Sequence, residues 1–281
     1  MKARGKLNAI LSFPVHSQPT LWGVWGRKMK TRLLEEPSIF NKVPEITLVF
    51  WIIKMMSTTV GETAADYLIF NLHFGLTLTS LLMGGVLIIA LNVQMRWGRY
   101  EPWRYWLAVV MVSIFGTLLT DNLTDQIGIP LWLSTSVFTL LLLVTFTIWY
   151  RHEGTLSIRS INTPKREQYY WLAILVTFAL GTAAGDWVAE GMDIGYANST
   201  MLFGGLIALT ALAHYLFKMN TVLTFWIAYV LTRPLGASVG DLLSQSVKHG
   251  GLGYGVTLVS EVFFMLIILL VGYLTLKKQK E

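Results

Sequence analysis

The sequence contains no cysteine, which excludes disulfides, thiolate metal sites and cysteine nucleophiles. Charge is scarce as well. Only 14% of the 281 residues are Asp, Glu, Lys or Arg, against about 25% in an ordinary soluble domain, too few to clothe a water-facing surface. A phosphate-binding loop is missing: the glycine-rich stretch His249–Gly255 has neither the lysine nor the strand context, which argues against ATP-driven transport by this chain alone. No Gly-x-Ser-x-Gly nucleophile motif and no soluble catalytic domain are present. The five histidines, His16, His73, His152, His214 and His249, form no His-x-x-x-His or Glu-x-x-His pair, so a carboxylate–imidazole metal bundle has little support. His214, alone in an apolar stretch, reads as a packed and hydrogen-bonded side chain.

What the chain has instead is apolar sequence. Hydrophobic residues make up 54% and the mean hydropathy is +0.55. Long runs such as Leu76–Ala90, Leu131–Tyr150 and Leu252–Leu276 approach the ~20 residues a helix needs to cross ~30 Å of hydrocarbon. The net charge of +6 then belongs to basic residues flanking membrane spans, and nucleic acid is not an expected partner. Residues 1–43 form a basic, irregular stretch expected to be a flexible cytoplasmic or membrane-surface tail, with Met29 as an alternative start.

One pattern recurs four times without a gap: Trp, nine residues, Gly, four residues, Asp. The copies are Trp51–Gly61–Asp66, Trp106–Gly116–Asp121, Trp171–Gly181–Asp186 and Trp226–Gly236–Asp241. Successive tryptophans are 55, 65 and 55 residues apart, so repeats 1 and 2 form one membrane half (residues 44–150) and repeats 3 and 4 a second (169–281), joined by a polar linker at 151–168. After each Asp comes a short connection and a second apolar segment. The fold class expected is therefore all-α: a polytopic bundle of about eight transmembrane helices in four tandem two-helix repeats, with spans near 46–66, 74–94, 104–122, 129–150, 169–188, 197–217, 221–241 and 252–275.

Lys and Arg set the orientation. One side receives the tail, Arg96, Arg99, Arg104, Arg151, Arg159, Lys165, Arg166, Lys218 and Lys277/Lys278/Lys280, whereas the four Asp-side connections hold only Lys248. By the positive-inside rule both termini are cytoplasmic and the Asp ends face outward. Each repeat has two spans, so all four copies point the same way.

The Trp suits an interfacial anchor. The Gly lies ~15 Å further along the helix axis, where a small residue lets backbones approach. The Asp lies ~22 Å beyond the Trp, in the outer part of the hydrocarbon, where a carboxylate costs about 2.5–3.5 kcal/mol. Two readings of Asp66, Asp121, Asp186 and Asp241 stand side by side. Each caps the next turn or helix, or the four converge on a common axis and bind or conduct a cation. Charges present in only one copy favour a site: Glu62, one turn before Asp66; Lys54, two turns before Glu62 and a charge partner for it; and Arg233, beside Pro234, which is expected to interrupt its helix. Asp125 and Glu261 read as further buried acid, with a place in the external connection as the alternative for Asp125. Carboxylates with nearby Thr58, Thr59, Thr63, Thr117, Thr120, Thr182 and Ser238 suit a hard divalent metal ion, and they equally suit proton-coupled carriage of a cation. The leading expectation is a cation transporter in the lipid bilayer acting on a small cationic substrate. The alternatives are an intramembrane metal-dependent enzyme acting on lipids and a non-catalytic scaffold.

The segments KVPEITLVFW, KMMSTTVGETAADYL, LGTAAGD and LGASVGD resemble a bacterial family of small integral membrane proteins made of tandem repeats of unknown function, described as uncharacterised membrane-anchored proteins. The likeness covers roughly residues 42–276 and rests on the GETxxD-like core at Gly61–Asp66. Thr117, Thr182 and Ala237 stand where repeat 1 has Glu62. The resemblance implies a bacterial inner-membrane location and no substrate.

Overall fold

The computed structural model describes residues 41–279; the expected tail falls outside them apart from its last three residues. Among the described residues the chain forms eight long helices: α1 (Leu48–Asp66), α2 (Gly75–Met95), α3 (Pro102–Asp121), α4 (Leu131–Glu153), α5 (Pro164–Asp186), α6 (Tyr196–Phe217), α7 (Thr221–Ser244) and α8 (Val256–Lys278). Local chemistry sets their ends. Thr47, Thr163 and Asn220 cap α1, α5 and α7 by accepting first-turn N–H groups. At the opposite end, Gly195 (φ 79°) and Gly255 (φ 81°) precede α6 and α8, conformations that cost a residue with a Cβ. The α5 helix begins five residues before its expected start because the Thr163 cap and Pro164 favour a first turn there. The α8 helix begins later because residues 252–255 fold back on the end of α7, Leu252 donating its N–H to the Leu242 carbonyl at 2.7 Å.

The odd-numbered helices form a closed ring in the order α1–α3–α5–α7 and back to α1. The even-numbered helices lie outside it: α2 packs on α3, α4 on α5, α6 on α7, and α8 closes the circle on α1. The two helices of one repeat scarcely touch each other. The repeat is therefore not a self-packed hairpin. Each outer helix buries its inward stripe against the first helix of the following repeat.

Burial follows the same division. Of the α3, α5 and α7 spans 56–67% is buried inside the bundle, against 11–22% for α2, α4, α6 and α8. Exposed leucines such as Leu81, Leu140, Leu209 and Leu269 cover the outer helices. An apolar surface this extensive is untenable in water and is the surface of a protein in contact with a lipid bilayer. Among the described residues seven helices, α2 to α8, are long and apolar enough to cross a membrane. The remaining helix, α1, carries Lys54, Glu62 and Asp66 and stands in the inner ring, where other helices cover it.

The four glycines of the repeat are the closest approaches in the ring. A methyl group added to Gly61 would overlap Ser113, one on Gly116 would meet Phe178, one on Gly181 would overlap Arg233, and one on Gly236 would overlap Thr58. Thr58, Ser113, Phe178 and Arg233 all lie three residues before the glycine of their own repeat. Each glycine thus receives the equivalent side chain of the next helix, and the pattern runs once round the ring.

The tryptophans differ from expectation. Trp106, Trp171 and Trp226 are buried and Trp51 half-buried, so they are core residues and not lipid-interface anchors. The residue before each one (Phe50, Tyr105, Tyr170 or Phe225) packs on the Trp of the next repeat, with ring centroids at 5.5 Å (Phe50–Trp106), 5.6 Å (Tyr105–Trp171), 6.4 Å (Tyr170–Trp226) and 5.8 Å (Phe225–Trp51). Eight aromatic side chains make a continuous belt at the Trp end of the ring. Edge and tilted contacts of this kind contribute about 0.5–1.5 kcal/mol per pair beyond burial.

The packing of α8 on α1 has a direct check. The Ser260 hydroxyl of α8 donates to Thr63 Oγ1 of α1 at 2.7 Å. In this cysteine-free chain, Thr63→Cys combined with Ser260→Cys is expected to form a disulfide on mild oxidation, seen as linked fragments after cleavage between the membrane halves. Fragments that stay separate would contradict the packing of α8 on α1.

Candidate functional site

The interior of the ring is built in layers set by the repeat. Nearest the Trp end is the aromatic belt. Above it is the position three residues after each Trp, occupied by Lys54, Val109, Ile174 and Tyr229, all fully buried. The Lys54 ammonium lies 4.0 Å from the ring centre of Phe178 and 4.4 Å from that of Tyr229 and has no hydrogen-bond partner among the described residues. It does not pair with Glu62, which corrects the expected Lys54–Glu62 partnership. Eight helical residues separate the two Cα atoms by ~12 Å, and another cation reaches the carboxylate first.

That cation is Arg233. Its Nη2 donates to Glu62 Oε2 at 3.0 Å and to the Thr182 hydroxyl at 2.6 Å, and also bonds Thr117 Oγ1; its Nη1 donates to the Thr58 carbonyl at 3.4 Å. Glu62, Thr117 and Thr182 occupy the position directly after the repeat glycine, and the fourth copy has Ala237 there. Three copies thus supply acceptors, and the fourth supplies the guanidinium from one turn lower. Arg233 is fully buried and plugs the axis. Pro234 does not interrupt α7, which runs unbroken from Thr221 to Ser244, because the neighbouring helices hold the segment on both sides.

Above this plug the ring opens into a cavity of about 660 Å³. Its wall holds Asp66, Asp121, Asp186 and Asp241, with Glu62 at its base. None of the four Asp side chains has a hydrogen-bond or ion-pair partner among the described residues. Asp66, Asp121 and Asp186 make no capping bond to the turn that follows, so the capping reading is set aside. After each of these three residues the helix continues as one π-helical turn (Tyr67–Asn71, Asn122–Gln126, Trp187–Gly191), whereas α7 has none. Single π turns inside helices recur at functional sites. In repeats 1 to 3 this turn holds the residue four beyond the Asp, and in all four repeats that residue lies on the cavity wall.

Those residues are Phe70, Asp125, Glu190 and Gln245. Asp125 therefore faces the cavity, although it is exposed and not buried. Glu190, which also accepts from the Tyr196 hydroxyl at 2.8 Å, and Gln245 were missed in the sequence, although the four-residue offset from the repeated Asp was available as a signal. Glu261 does not join the site. It is exposed on α8. His214 is held by structure, its Nδ1 lying 3.0 Å from the Met219 carbonyl.

The lining includes no lysine or arginine. Seven carboxylates therefore set the field of the cavity, with Arg233 beneath them as the nearest compensation. Rings of Asp and Glu select for cations, and low-dielectric walls focus such a field. The carboxylates are nonetheless spread around the wall. Among the described residues no three His, Asp or Glu side chains gather as ligands for a metal ion, so the expected divalent-metal centre is not preassembled.

A family model described as a repeat of unknown function (DUF347) matches four segments, residues 49–100, 104–155, 169–220 and 224–280. The chain belongs to the DUF347 family. Each DUF347 unit comprises one inner and one outer helix, so the recurring pattern of Trp, Gly and Asp is the inner half of the family's repeat. No curated protein and no solved structure matches this DUF347 chain.

Proposed function

We propose that the chain is a transporter that moves small cations across the membrane, the acidic cavity serving as its loading site. The carrying observation is that the Asp of every repeat, unpaired, lines one shared cavity. Placing four carboxylates in a bilayer without partners is costly, and a cationic cargo is what they would repay that cost by binding. The axis beneath is shut by Arg233 with Glu62 and then by the aromatic belt. A cavity open at one end and sealed at the other is one state of an alternating-access cycle. The π turns bordering it are the segments best suited to move, because their hydrogen bonding is already irregular.

On this reading the protein is a multi-pass component of a bacterial inner membrane. The cationic residues gathered at the Trp end, Arg96, Arg104, Arg151 and Arg166 among them, against Lys248 alone in the Asp-side connections, support cytoplasmic termini and a cavity that opens outward.

Proteoliposome flux tests the proposal. Rubidium, magnesium, manganese and tetraethylammonium are offered in turn to the protein and to Asp66→Asn, Asp121→Asn, Asp186→Asn and Asp241→Asn. At least one cation is expected to be carried, and each substitution should slow it about tenfold, the effect of losing one charge-assisted contact. Flux preserved in all four variants discards the transporter reading and leaves a membrane scaffold.

A further inference from the structure

We infer that the cation taken by this cavity is an organic ammonium ion with an apolar body, and not a bare metal ion; the inference rests on the cation-transport reading above. The first observation is room. A cavity of about 660 Å³ falls within the ~300–1,000 Å³ of small-molecule pockets. A calcium or magnesium ion, by contrast, needs about six to eight oxygens drawn to one point, and the carboxylates here are not gathered in that way.

The second observation is the apolar share of the wall. Ile69, Phe70 and Leu76 of repeat 1 and Ile129, Pro130 and Leu131 of repeat 2 line the cavity among its seven carboxylates. A metal ion has no use for these six apolar side chains. An amphipathic cation would desolvate against them while its charge faced the acids.

The third observation is Asp241. It is more than nine-tenths buried, faces the cavity and has no hydrogen-bond or ion-pair partner among the described residues. It is the most buried of the four repeat aspartates and the natural counter-charge. Lower on the axis, Lys54 shows the same preference: its alkylammonium rests on the faces of Phe178 and Tyr229 with no carboxylate or other acceptor bonded to it. An interior that accommodates one ammonium group on aromatic faces is suited to accommodate another.

Calorimetric titration of the full chain in lipid nanodiscs tests this, with phenethylammonium, benzyltrimethylammonium, magnesium and manganese chlorides as probes. Saturable binding of at least one ammonium probe is expected, with no displacement by the divalent ions. Asp241→Asn should abolish it. Phe70→Ala, at an exposed position of the wall, should weaken it roughly tenfold through lost apolar contact while the thermal melt stays unchanged. Divalent binding without ammonium binding overturns the substrate class and leaves the cation reading standing. Failure of every probe overturns both. Ammonium binding that Phe70→Ala leaves intact overturns the role of the apolar wall.

Discussion

Replacing Arg233 by methionine is expected to destabilise the protein by about 3 kcal/mol, the lower end of what removing one partner of a buried ion pair costs. Arg233 is fully buried, and Nη2 lies 3.0 Å from Glu62 Oε2. Without the guanidinium, Glu62 keeps only the Thr117 hydroxyl at 3.3 Å, and Thr182 and Thr117 lose a donor. Glu62 also borders the cavity, so water softens the penalty. The converse change, Glu62→Gln, should cost more, because it leaves a cation with no route to solvent. The double variant Glu62→Gln/Arg233→Met is expected to recover most of the loss, since it removes both charges at once. Thermal unfolding of the four proteins in nanodiscs measures this cycle. An Arg233→Met protein that melts with the parent would show that the plug carries no net energy. Arg233→Lys should fall between arginine and methionine, because its ammonium keeps a charge for Glu62 but sits on a shorter stem than Nη2 and gives up the Nη1 bond to the Thr58 carbonyl.

The second large effect concerns the ring contacts. A methyl group at Gly181 would overlap the Cβ and Cγ of Arg233 and come within 3.1 Å of Pro234 Cδ. Neither neighbour is the free end of a flexible chain, so α5 and α7 must separate. Gly181→Ala is expected to cost about 1–3 kcal/mol, the range for overpacking a filled interior. Gly85→Ala on α2 is the control. Nothing lies within 4 Å of the added atom, and the substitution should be neutral or stabilising by about 0.5 kcal/mol, from its effect on chain entropy. Thermal melts of the two variants separate the readings: equal melts would mean that the repeat glycines are tolerated for propensity and not required for approach.

Several features of the fold were legible because they are periodic. Apolar runs together with the fourfold repeat marked eight helices, and the observed ends lie within about five residues of the reading. The Trp, Gly and Asp of each copy stood at fixed offsets, so close approach at the Gly and a shared place for the Asp could be inferred from helix geometry alone. Other features were not legible. The tryptophans read as interface anchors because an indole suits a boundary; in the structure they are core residues because each packs against the aromatic residue that precedes the Trp of the neighbouring repeat. Lys54 and Glu62 read as a pair because they share a helix, a one-dimensional view that could not know that Arg233 stands across the axis. Glu261 read as buried acid from its apolar neighbours, but α8 is an outer helix and turns it away from the core.

The amino-acid order by itself determined that this is a helical membrane protein of four parallel repeats, each with a small residue at mid-depth and an acid near one end, because hydropathy and helical rise act along a single chain. Only the tertiary structure decided which helix meets which. Each repeat gives its second helix to its neighbour, the first helices close a ring, and residues 171 positions apart become an ion pair. Sequence separation carries no information about contacts across a closed ring. Those depend on how four similar helices share one axis, and it is that sharing which gathers the acids around a single cavity.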